Sequence, residues 1–199
     1  TADEIRSQLL AAELHEESVN RILDHYQDMR FYLSNGDYVE AGAHIGNFCE
    51  NVVNIILEEI GEGADPYVSI GTSVDNLLAG NYETADVPYE LRLTIPRLIR
   101  AAYDIRNDRD SVHVNLEVPV NHSDSQTGVR ICTWILAELL RLYGNHDDIE
   151  LIHSLIDNLA APLTPYIDSY DGKRLLMSRE LELRDELLVH LYAYGQELD

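Results

Sequence analysis

Between two strongly helical stretches the chain reads Arg106-Asn107-Asp108-Arg109-Asp110-Ser111-Val112-His113. Arginine is a permanent cation whose donor fork matches phosphate oxygens, and histidine changes charge near neutral pH. An arginine, an adjacent amide and a histidine after six intervening residues suit work on a phosphodiester: one group holds the phosphate while another moves a proton. The same residues also have a plain structural reading. An arginine near a helix C-terminus complements the macrodipole, and a loop histidine is ordinarily just solvated.

The elements that would position this stretch follow from apolar spacing. Ile5, Leu9, Ala12, Val19, Leu23, Tyr26, Met29 and Leu33 predict one long amphipathic helix from Asp3 to Leu33. Ser34-Asn35-Gly36-Asp37 supplies a short turn, so the helix from Tyr38 to Ile60 is its antiparallel neighbour. The small residues Ala41, Gly42, Ala43 and Gly46 at its start predict a close approach to the first helix or to a second subunit. Residues 61–87 read as an irregular excursion with one helical piece near Ser73 to Ala79.

A third helix begins at Pro88, is kinked or delayed by Pro96 and runs out at or just after Arg106. Ser123 with Gln126 fits a capping box for a fourth helix, which reads as the central and most buried one. A fifth runs from about Ile149 to Pro162. Beyond it, Asp171-Gly172 marks a hairpin, followed by a last helix around Leu181 to Tyr194. The expectation is an all-α, up-and-down bundle over residues 1–163 with a C-terminal hairpin-plus-helix appendage over 164–199.

Charge narrows the function. Acidic residues number 36 against 14 basic ones, for a formal net charge of -22, and Lys173 is the only lysine. At 1 M salt the Debye length is about 3 Å, which screens such self-repulsion, so the composition reads as that of a halophile, archaeal by inference. It counts against broad nucleic-acid binding, which uses clustered Lys and Arg, but not against a local phosphate site. Cys49 and Cys132 lack metal-ligand spacing and read as buried thiols in a reducing cytoplasm. No apolar run approaches the 18 or so residues that span a bilayer, so no membrane association is expected.

With this layout and its Arg106-Asn107…His113 run between two core helices, the chain resembles the HEPN superfamily of small helical domains. That family's pattern is an arginine, a polar residue, four to six intervening residues and a histidine. The wider run, from Arg106 through Asn121-His122-Ser123-Asp124 to Arg141, looks like the abortive-infection branch of toxin and phage-defence domains. The resemblance covers about residues 1–160. It implies a metal-independent endoribonuclease without cofactor, cytoplasmic, acting as a homodimer on an RNA substrate at a site shared by two protomers, with an antitoxin or regulatory protein as a further partner. His113 would be the general acid/base, Arg106 would hold the scissile phosphate and Asn107 would orient one of them. Arg109 is added as a second phosphate contact by inference from its position. Asp108 and Asp110 depart from what an RNA backbone favours.

Three other readings stand beside this one. A noncatalytic HEPN-like dimerisation, nucleotide-binding or protein-binding module predicts that Arg106 and His113 pair with carboxylates such as Asp104 or Asp108. A metal site from His113, His122 and Asp124 is allowed by residue type, though the expectation is no metal. The segment Tyr166 to Tyr194 is similar to the entry of a winged helix, with only Lys173, Arg174, Arg179 and Arg184 to meet DNA. The remaining histidines, His25 and His44 among them, read as separate surface or satisfied residues.

Overall fold

The computed structural model describes residues 2–65, 67, 69–83, 87–110, 120–144, 149–159, 167–170, 173–176, 182, 184–185 and 187–189. For 106–110, 149, 153, 157–158 and the strand residues it describes the backbone alone. The chain divides into two units, Thr1–Leu159 and Ala160–Asp199. The first is an all-α bundle, with α1 Ala2–Ala11, α2 Glu16–Ser34, α3 Tyr38–Glu59, α4 Ile70–Ala79, α5 Ile95–Asp110, α6 His122–Tyr143 and α7 Ile149–Leu159. In the second, β1 Ile167–Tyr170 pairs antiparallel with β2 Lys173–Leu176, and residues 184–185 and 187–189 are helical. Among the described residues no helix is long and apolar enough to cross a membrane.

The single first helix of the sequence pattern is two. Glu13 takes a left-handed φ of 61°, which ends α1, and the His15 ring accepts the Ser18 N–H to cap α2. Leu14, between them, is buried, so the break folds an apolar side chain inward instead of exposing it. The periodicity ran through the break because Ala12-Glu13-Leu14-His15 carries neither glycine nor proline.

α3 is the helix the others enclose. It buries 13 residues against 8 in α6, although both are 22 long, so α6 is not the most buried element. Trp134 of α6 points outward and is 42% exposed. Nor is the start of α3 a uniformly tight contact: a Cβ on Gly42 would meet nothing within 4 Å. The close approach is on α6, where a Cβ on Gly128 would lie 2.6 Å from Ile45 Cδ1. Cys49 and Cys132 meet in this core; burial, and then the hydrogen bond with Cys49, push the Cys132 thiol well up.

Pro96 acts through the turn before it. Residues Glu90–Thr94 form a π-turn in which the Ile95 N–H bonds to the Glu90 carbonyl. Proline has no N–H and its ring collides with the carbonyl four residues back; a widened turn moves that carbonyl aside. Arg141 of α6 reaches Glu90 at 3.0 Å and pins the turn to the bundle.

Tyr26, fully buried, ties α2 to α6. Its hydroxyl lies 3.0 Å from Thr133 Oγ1, which itself donates to the Val129 carbonyl at 2.8 Å. Threonine has one hydroxyl proton, so Tyr26 is the donor. Tyr26→Phe should lower stability by about 0.5–1.5 kcal/mol in urea unfolding, the net worth of one hydrogen bond. Tyr26→Ala should cost about 3–5 kcal/mol, because it also empties a core volume.

Candidate functional site

Arg106, Asn107 and Arg109 occupy the last turns of α5, whose backbone is helical to Asp110. Their side chains lie outside the described residues, as does His113 in the segment 111–119. That segment joins the end of α5 to the start of α6. The two ends are neighbours, because Ala102 and Ile105 of α5 line one cleft with Asp124, Ser125 and Gly128 of α6. The backbone of Arg106, Asn107 and Arg109 therefore sits at the end of the bundle where α6 begins.

That beginning is built from a capping box two residues earlier than the sequence pattern placed it. Asn121, not Ser123, is the N-cap: its side-chain oxygen accepts from the N–H groups of Ser123 and Asp124 at 2.9 and 3.3 Å. The Asp124 carboxylate accepts from the Asn121 backbone N–H at 3.3 Å and from its side-chain amide at 2.7 Å. Ser125 Oγ donates to the Tyr38 carbonyl at 3.1 Å, joining this end of α6 to the start of α3.

These contacts bear on the alternatives. Asp124 is engaged by the cap, and the exposed His122 ring meets Tyr38 edge-on, with centroids 5.7 Å apart. The third residue of that alternative metal site, His113, lies outside the described residues. Asp104, two residues before Arg106, is bound by Arg100 at 3.1 Å, and Arg100 also holds Asp75 of α4 at 2.8 Å. The two carboxylates raise the Arg100 pKa, Asp104 most.

On the other side of the same end of α6 opens a cleft of about 520 Å³ between α2 and α6. Arg30, Ser34, Tyr38, His122, Gln126 and Arg130 contribute to its polar lining, and among the described residues no carboxylate lines it. On a chain with 36 acidic residues this is a local exception. Arg30 lies over the Tyr26 ring at 5.9 Å, so the buried tyrosine that joins α2 to α6 also supports one wall. The arginines come from helices far apart in sequence, and no local motif announces them.

A second cluster escaped the sequence reading. His25 of α2 and His44 of α3, read as unconnected, bring their Nδ1 atoms to 3.0 Å, and Asp28 Oδ2 lies 3.5 Å from His44 Nδ1. Burial pushes the His25 pKa down and His44 adds to this, against Asp28 and Asp24, which raise it. The signal that could have found the cluster is the turn: 28 and 44 are equidistant from Gly36, so an antiparallel pair places them level.

The chain matches no family model, no curated protein and no solved structure.

The observed cap gives a direct check. Asn121→Ala should lower stability by about 0.5–2 kcal/mol, the usual cost of losing an N-cap. Ser123→Ala, whose hydroxyl would have been the cap, should change it by less than about 0.5 kcal/mol. Urea unfolding of the two variants separates the registers.

Proposed function

We propose that this chain is a metal-independent endoribonuclease of HEPN type, acting as a homodimer with one Arg106-Asn107…His113 stretch from each protomer at a shared site. The observation that supports this reading is the backbone of Arg106, Asn107 and Arg109 at the end of α5, a helix that packs against the first turns of α6, whose other side lines a cleft with Arg30, Arg130 and, among the described residues, no carboxylate. An RNA strand needs such a local track, because the surface elsewhere repels its phosphates. Trp134, exposed and one helical turn from Arg130, offers a ring on which a base can stack.

In this mechanism His113 takes the proton of a ribose 2'-hydroxyl, the freed oxygen attacks the adjacent phosphorus, and the bond to the 5'-oxygen breaks. A second histidine returns a proton to that leaving oxygen, so the products are a 2',3'-cyclic phosphate and a 5'-hydroxyl. Arg106 offsets the charge that gathers on the phosphoryl oxygens, and Asn107 orients the histidine or the phosphate. Arg109 adds a phosphate contact. Defence or toxin biology, with an antitoxin or regulator as partner, belongs to the same reading, as does a halophilic setting.

His113→Ala should reduce RNA cleavage in high salt by at least 10²- to 10⁴-fold, the range of a general acid/base, with helicity and dimerisation unchanged. A variant that still cuts at the wild-type rate removes the mechanism. A wild type that cuts no RNA, and a His113→Ala variant that loses only stability, is instead the outcome expected of an interaction module. Arg130→Glu should weaken RNA binding across sequences and reduce the salt dependence of affinity by about one phosphate contact, read from titrations at several KCl concentrations.

A further inference from the structure

The α2–α3 seam holds three side chains that the reaction above does not use. His25 and Asp28 stand three residues apart on one face of α2, and His44 meets them from α3. One ligand atom from each lies within 4.8 Å of the other two. We propose that His25, Asp28 and His44 form a binding site for one divalent transition-metal ion of the zinc class, held by two imidazole nitrogens and one carboxylate oxygen, with solvent completing the shell.

The donor spacing is the first argument. Two metal–ligand bonds of about 2.05 Å at the tetrahedral angle place their donor atoms about 3.3 Å apart. The two edges that meet at His44 Nδ1 measure 3.0 Å to His25 Nδ1 and 3.5 Å to Asp28 Oδ2. These values bracket the tetrahedral one, and the third edge, from His25 to Asp28, is within 4.8 Å, so the three donors can converge on one ion.

Proton accounting is the second. Nδ1 atoms 3.0 Å apart leave room for one proton between them, and a carboxylate brings only lone pairs. Three electron-pair donors therefore converge on a volume where at most one proton offsets them. A dication satisfies all three together. Nitrogen donors select the zinc class over Mg²⁺ and Ca²⁺, which take oxygen ligands.

The third is orientation. The His44 ring stacks on Tyr32, with centroids 5.2 Å apart and planes 19° from parallel, and Tyr32 lies one turn beyond Asp28 on α2. This stacking fixes the plane of the imidazole, as neighbouring side chains orient the ligands of other metal sites. His44 is 18% exposed and Asp28 51%, so the site is anchored in the seam and open to solvent. Asp24 and Arg21 are the other charged groups acting on His25, and one offsets the other, so Asp28 supplies the net negative charge.

Bound here, the ion would join α2 to α3 across their turn and stabilise the helix pair on which the bundle is built. The test uses the full chain, stripped with chelator and dialysed against Zn²⁺ in 2 M KCl with excess Mg²⁺ to occupy the acidic surface. The wild type should retain one Zn²⁺ per chain and show a higher thermal midpoint with Zn²⁺ than without. His44→Gln and Asp28→Ala should weaken binding at least tenfold and abolish the shift, whereas His122→Gln, an exposed histidine outside the cluster, should keep both. A wild type that holds no more Zn²⁺ than His44→Gln overturns the site and leaves an ordinary histidine–histidine hydrogen bond. Should His44→Gln lose its helical circular dichroism, Asp28→Ala, at a half-exposed position, decides alone.

Discussion

The constraint on which this fold depends is that α3 buries 13 of its 22 residues, most of them apolar. A helix of that kind has to be enclosed, since each large apolar side chain left in water costs about 1.5–3 kcal/mol. α2 covers one flank through the 35–37 turn, and α5 and α6 cover others. The polar fixtures of the bundle follow from that enclosure. Tyr26 and Thr133 pair where α2 meets α6, Ser125 bonds the backbone at the start of α3, and Arg141 holds the π-turn ahead of α5.

Enclosure also determines where chemistry can sit. With the interior full of aliphatic side chains, the polar groups that act on a ligand are confined to helix ends and seams. The end of α5 carries Arg106, Asn107 and Arg109, the start of α6 borders the cleft with Arg30 and Arg130, and the α2–α3 seam carries the two histidines and Asp28. The two places differ electrostatically as the two proposed ligands require. Among the described residues the cleft is lined by arginines and no carboxylate, which suits phosphate, whereas the seam is rich in lone pairs, which suits a metal cation.

How much of this was legible in the sequence depended on the range of the signal. Bounds for α3 and α7, and the hairpin between 167 and 176, follow from local turn chemistry and periodicity and lie close to where the sequence places them. The break at Glu13 was invisible because a left-handed glutamate has no compositional mark. The capping register was two residues off because both Asn121 and Ser123 are good caps with an acceptor three residues later; Asn121 prevails because its partner, Asp124, is a carboxylate, which binds the cap's N–H groups more strongly than the Gln126 amide could. The ranking of α6 above α3 failed because apolar count was read without direction, and Trp134 faces outward.

The sites show the same division. Arg106, Asn107 and His113 could be singled out from spacing alone because their proposed roles follow one another along the chain. Arg30 and Arg130 could not, since they are a hundred residues apart and become neighbours only when α2 is laid on α6. His25, Asp28 and His44 lie between these extremes. Their meeting is a consequence of one turn: fold α2 and α3 about Gly36 and residue 28 comes level with residue 44, while His25 follows one helical step away. Reflection of His44 through the turn falls on Asp28, one helical step from His25, which makes reflection about short helical turns a physically grounded way to find composite sites in antiparallel bundles.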